Sequence, residues 1–64
     1  MLMFDYTKLV LQKVSFDKNL FRKELVKALG NLQPHEQQML KIWCATTFAV
    51  YSDVIVEVFR SLSS

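Results

Sequence analysis

At 64 residues the chain is long enough for one domain only, and 52% of its residues are apolar, near or above the top of the usual range for soluble domains. A domain of this size buries only about 60% of the surface that its unfolded chain exposes. One cysteine excludes an internal disulfide, and a net charge of +2 is too small to indicate nucleic-acid binding by itself. The composition therefore favours a small domain that covers its surplus apolar surface with a partner.

The ends and breaks of the chain indicate one helical unit. The opening MLMFDYTK lacks the basic start, the long apolar run and the cleavage site of a secretory signal, so we expect a cytoplasmic protein with a reduced thiol. Glycine and proline occur once each, at Gly30 and Pro34, which disfavours folds rich in tight turns. We predict a single all-α domain over residues 1–64.

Apolar spacing and capping residues predict a small bundle of three or four helices. Their approximate bounds are 5–14, 17–29, 34–51 and 53–62, the last two possibly forming one long kinked helix. Asp17 is placed to cap the second helix, and Phe16 to pack on Phe21 as a hydrophobic staple. Gly30 is expected to end that helix in the left-handed conformation.

The third helix is predicted to begin at Pro34, because the first helical position needs no backbone N–H. Glu36 then lies near the positive end of the helix dipole. The apolar stripe of this helix is predicted to contain Met39, Trp43, Thr46, Thr47 and Val50, widened by Leu40, Ile42 and Tyr51.

The apolar segment from Ile42 to Phe59 has three interpretations. A membrane span needs about 20 residues, but only the residues from Ile42 to Ser52 are free of charge. A β-hairpin suits the β-branched residues, but Ser52-Asp53 is a poor two-residue turn. Helix is favoured, and because a straight helix would place Glu57 on the apolar stripe, we predict a soft break near Ser52 and Asp53.

The final helix has an apolar arc of roughly 200°, wider than one neighbouring helix covers. We therefore predict a homodimer. The predicted interface consists of Val54, Ile55, Val56, Val58, Phe59 and Leu62.

The sequence contains no set of residues typical of an enzyme, and we predict no catalytic, cofactor-binding or metal-ligating residue. His35 and Cys44 are the only histidine and cysteine, whereas a zinc site needs three or four ligands. A catalytic thiol needs a nearby base. Cys44 is interpreted as a buried structural thiol.

The predicted function is a small protein-interaction module, and the alternative is a weak nucleic-acid-binding protein. The residues assigned to the alternative are Lys18, Arg22, Lys23 and Lys27. The segment LVKALGNLQPHEQQMLKIW resembles the opening of the C-terminal DNA-binding region of bacterial sigma factors. The sequence that follows, CATTFAVYSDVIVEVF, has no basic residue with which a recognition helix could contact DNA, so that function is not transferred.

Overall fold

The computed structural model describes the backbone of residues 3–63 and the side chains of residues 4–61. Its helices are α1 (Met3–Lys13), α2 (Lys18–Leu29), α3 (Pro34–Thr47) and α4 (Ser52–Ser63), with one turn of 3₁₀-helix at Ala49–Tyr51. The predicted small all-α bundle is confirmed. No strand occurs in the described range, so the hairpin alternative is wrong. Around the bundle the order is α1, α2, α4, α3, and α1 also packs on α3.

At the start of α2 the predicted N-cap is present, but the predicted hydrophobic staple is not. The Asp17 carboxylate accepts hydrogen bonds from the backbone N–H groups of Asn19 and Leu20, at 2.9 and 3.2 Å, as expected of an N-cap. The predicted staple is wrong, because Phe16 is 79% exposed. Phe21 is fully buried, and its ring packs instead on two aromatic rings from the connection between α3 and α4.

The end of α2 does not use the left-handed conformation predicted at Gly30, whose φ is −68°. Instead, side-chain amides donate hydrogen bonds to the carbonyl groups at the end of the helix. The Asn31 amide donates to the Lys27 carbonyl at 3.1 Å, and the Gln37 amide donates to the Leu29 carbonyl at 2.8 Å. Because these carbonyls already have donors, the helix end needs no left-handed residue.

Gly30→Ala is expected to stabilise the protein by about 0.4–1 kcal/mol, since it restricts the unfolded chain at a position with ordinary helical geometry. A Cβ at residue 30 would have the Lys27 carbonyl oxygen as its nearest neighbour, at 3.5 Å. Urea unfolding followed by circular dichroism measures the change. A loss of stability would contradict the described geometry and favour the left-handed end predicted from sequence.

A bend of 107° separates α3 from the helical segment that follows it. The bend occurs at Phe48, with φ −119° and ψ 49°, and not as a soft break at Ser52 and Asp53. The Phe48 N–H still donates to the Cys44 carbonyl, and the Tyr51 N–H donates to the Phe48 carbonyl. The connection therefore turns sharply without glycine or proline, while these two backbone N–H groups keep their hydrogen bonds.

Aromatic contacts hold the bend in place. The Phe48 ring lies 4.9 Å from the Phe21 ring and 5.3 Å from the Trp43 ring, centroid to centroid. The Tyr51 hydroxyl donates to the Ser15 carbonyl at 2.6 Å. These contacts fold α4 back across α2, so the part of its apolar arc that contains Val54, Ile55, Val58 and Phe59 is covered within one chain.

All four helices contribute to the core, and α4 supplies four of the twelve buried apolar residues among the described side chains. Its buried members are Leu11, Phe21, Leu25, Leu29, Leu32, Leu40, Cys44, Phe48, Val54, Ile55, Val58 and Phe59.

Within the described range, no single helix is long and apolar enough to cross a membrane. The α3 helix taken together with residues 49–61 has the length and apolar composition of a span, but the two segments are bent by 107°.

Candidate interaction surface

The dimer surface predicted on α4 is largely inside the protein. Val54, Ile55, Val58 and Phe59 are each at most 7% exposed and belong to the core. Val56 is 50% exposed. The side chain of Leu62 lies outside the described residues. These four side chains pack within the chain itself, so of the predicted interface only Val56 is open to a second copy among the described side chains, and an interface on α4 stays a prediction.

An apolar stripe on α3 remains open to solvent. We call Met39, Ile42, Trp43 and Thr46 the α3 seam, because their i, i+3, i+4, i+7 spacing places them along one side of the helix. Met39 is 52% and Ile42 68% exposed, while Trp43 is half-buried. The core-facing side of α3 is a different one. It contains the buried residues Leu40 and Cys44.

The α3 seam forms one wall of a shallow groove of about 440 Å³ between α3 and α1. Phe4 and Lys8 of α1 form the other wall, and Thr47 completes the lining. An open and mainly apolar depression between two helices is the kind of site that receives an amphipathic helix. Val50, predicted to belong to the same stripe, lies beyond α3 in the 3₁₀ turn and is 82% exposed.

Lys8 connects the two walls of this groove. Its Nζ lies 5.1 Å from the centroid of the Phe4 ring and 5.7 Å from that of the Trp43 indole. Aromatic faces carry partial negative charge and attract an ammonium at these distances. Among the side chains of residues 4–61, Lys8 forms no ion pair, and no carboxylate lines the groove.

Two further depressions are smaller and carry charges of both signs. The one between α1 and α2 has about 130 Å³ and is lined in part by Glu24 and Lys27. The one between α2 and α4 has about 290 Å³ and contains Arg22 and Glu57. The groove beside the α3 seam differs from both in having one positive charge and no negative one.

The four basic residues of the nucleic-acid hypothesis do not form one free cluster. Lys18 Nζ lies 2.6 Å from Asp53 Oδ2, and Arg22 forms an ion pair with Glu57. The hydrogen bond from Lys18 lowers the pKa of the Asp53 carboxyl. Lys23 and Lys27 have no ion-pair partner among the described side chains.

Cys44 is buried, as predicted. It is fully buried, and desolvation raises its pKa from 9.0 to about 12. His35, the only imidazole, is exposed in the first turn of α3. Within the described residues, no group of three or more His, Cys, Asp or Glu side chains could hold a metal ion.

The Cys44 thiol is expected to react with a disulfide reagent at pH 8 at least about 1000-fold more slowly in the folded chain than in urea. Thiolate is the reactive form, and the pKa difference alone reduces its population by about that factor. Absorbance of the released thiol measures both rates. Equal rates would contradict the described burial.

The same pKa shift predicts that stability falls at alkaline pH. Above the unfolded pKa of 9.0 the unfolded chain loses its thiol proton, while the folded chain keeps it up to about 12. The unfolded state then binds fewer protons, so the free energy of unfolding decreases over this range. Cys44→Ala is the matched control, because it should lack this component of the pH dependence.

Comparisons with protein-family models, with curated proteins and with solved structures gave no match. After α3 and the 3₁₀ turn the chain forms α4, of which Val54, Ile55, Val58 and Phe59 are buried and Asp53 and Glu57 pair with α2. This arrangement differs from the exposed recognition helix that would follow in the sigma-factor region.

Proposed function

We propose that this chain is a small helical protein-interaction module that receives a helical segment in the groove between α1 and α3. The observation that carries the proposal is the α3 seam. Its residues have the i, i+3, i+4, i+7 spacing of a helix-packing face, and no described helix covers them. An amphipathic helix binds in such a groove through its apolar side chains at positions i, i+3, i+4 and i+7. We place the module in the cytoplasm, as expected from the sequence.

The side chains of the α3 seam suit this role. Aromatic residues and methionine are enriched in protein interfaces, and Trp43 and Met39 both line the groove. Full burial of a Met or Ile side chain contributes about 1.5–3 kcal/mol, and roughly half or more of Met39 and Ile42 is exposed. Covering them therefore supplies a free-energy gain that the isolated chain lacks.

The homodimer predicted from sequence stays a proposal, but we place its interface on a different surface. A second copy would have to use exposed apolar residues such as Ile42, because four of the residues predicted on α4 are in the core. Light scattering over a range of concentrations would measure self-association. Loss of the dimer in Ile42→Asp would assign it to the α3 seam.

Nucleic-acid binding is the weaker alternative. Lys18 and Arg22 are neutralised by partners on α4, which leaves Lys23 and Lys27. Electrostatic binding to nucleic acid needs several phosphate contacts and weakens steeply with salt. A titration of duplex and single strands tests it, and no salt-dependent binding near 50 mM salt is the result expected from these two remaining charges.

The proposed function can be tested with a displayed library of helical peptides of roughly 20 residues, a length that can fold as a helix. Each carries apolar residues at i, i+3, i+4 and i+7 and random residues beside them. The immobilised chain should enrich members of the library, and Ile42→Asp should weaken their binding at least about tenfold, because a carboxylate in the groove is left without a partner when covered.

Val56→Asp is the matched control, since Val56 is also a half-exposed apolar residue but lies on α4. It should retain binding. Failure to enrich any helix, or equal losses in the two variants, would contradict the proposed function.

A further inference from the structure

The charges around the α1/α3 groove indicate the chemistry of its occupant. Lys8 is the one charged residue among those that line the groove. We infer that the occupant is an amphipathic helix of another protein, with a carboxylate side chain beside its apolar stripe. This inference rests on the proposed function and specifies the partner of the same site.

The position of Lys8 makes a counter-charge necessary. Its ammonium lies over the Phe4 and Trp43 rings, between the two walls that an occupant would cover. A helix docked there removes water from the ammonium, and a buried charge without a partner is strongly unfavourable. A carboxylate on the occupant restores a charge-assisted hydrogen bond, while the apolar stripe packs on Met39 and Ile42.

The acids of the chain itself are poorly placed to supply that carboxylate. Asp17 caps α2, and the Glu36 carboxylate accepts from the Gln33 backbone N–H at 3.0 Å. Asp53 and Glu57 pair with α2. These contacts occupy four of the six acids.

The two remaining acids are Asp5 and Glu24. Neither lines the groove, and Glu24 belongs to the depression between α1 and α2. In a symmetric dimer the same surface patch meets itself, so two copies joined through this groove would bring Lys8 near Lys8 with no carboxylate from the lining. Like charges across an interface are unfavourable. Charge complementarity therefore favours an acidic helix from a different protein over a second copy.

The selection with the helical library tests this inference through the residues beside the apolar stripe. Wild-type chain should enrich Asp and Glu at one or two of these positions. Lys8→Glu should reverse the preference towards Lys and Arg. Lys23→Glu makes the same change of charge at an exposed site away from the groove, and it should keep the acidic preference.

The outcomes separate this inference from the proposed function. Enrichment of helices with no acidic preference, or with a preference that Lys8→Glu leaves unchanged, would overturn the inference and keep the proposed function. Failure to enrich any helix would contradict the proposed function itself. A concentration-dependent dimer that Ile42→Asp abolishes would identify a second copy as the occupant and would also overturn the inference. Circular dichroism of each variant verifies that it is folded.

Discussion

Phe21→Ala is expected to remove most of the free energy of unfolding at 25 °C. Phe21 is fully buried, and its ring centroid lies 4.9 Å from that of Phe48 and 5.0 Å from that of Tyr51. Replacing a buried Phe by Ala costs about 3–5 kcal/mol, while small domains lie at the low end of the usual 5–15 kcal/mol of total stability. The substitution also removes the ring on which the connection between α3 and α4 packs.

Phe16→Ala is the matched control, because it deletes the same side chain only five positions away. Phe16 is 79% exposed, so its replacement should change the free energy of unfolding by less than about 0.5 kcal/mol. Urea unfolding of both variants, followed by circular dichroism, measures the difference. Similar losses in the two variants would support the predicted staple of Phe16 on Phe21 and contradict the described packing.

Ile55→Asp is expected to destabilise the chain by at least about 4 kcal/mol, since it places a carboxylate in an apolar core. Ile55 is 3% exposed and packs among the buried residues of α4. Ile42→Asp makes the same chemical change at a side chain that is 68% exposed. It should leave the chain folded, with a loss of less than about 1 kcal/mol.

This pair of variants distinguishes the two possible positions of the docking surface. If the apolar face of α4 were the exposed interface predicted from sequence, Ile55→Asp would give a folded monomer. Thermal unfolding monitored by circular dichroism measures both proteins. A cooperative transition in Ile55→Asp close to that of the parent chain would contradict the burial of α4 within the bundle.

The starts of α2 and α3 could be predicted from sequence because they depend on residues a few positions apart, whereas α1 begins at Met3 and not at the predicted residue 5. Asp17 caps the backbone N–H groups that follow it. Pro34 occupies the first position of α3, and the Glu36 carboxylate accepts from the Gln33 N–H. These interactions are local, so a single sequence is sufficient to identify them.

The bend at Phe48 could not be predicted, because distant residues determine it. Phe48 packs on Phe21 of α2, and the whole of α3 separates the two residues in the sequence. The Tyr51 hydroxyl, which also holds the turn, donates to the Ser15 carbonyl. Residue 48 itself has no sequence feature that terminates a helix, such as glycine or proline. Periodicity indicated correctly that a straight helix was unsuitable, but the direction of the chain after the break depends on tertiary packing.

The candidate surface was missed because α3 has apolar residues on adjacent sides. Met39 and Trp43 share one side, while Leu40 and Cys44 share the next, about 100° away. Either pair could face the core by spacing alone. Only the positions of α1 and α4 show that the second pair is fully buried and that the first pair is partly exposed. The wide apolar arc of α4 was likewise identified, but four of its residues are buried against other parts of the same chain.

The central claim, that the open apolar surface is the α3 seam and not α4, is tested most directly by methyl NMR. The chain contains two isoleucines, Ile42 and Ile55, so labelling of isoleucine δ1 methyl groups gives two signals. A soluble paramagnetic probe should broaden the Ile42 methyl signal strongly and leave that of Ile55 sharp. Strong broadening of Ile55, or equal protection of Ile42 in dilute protein, would contradict the account.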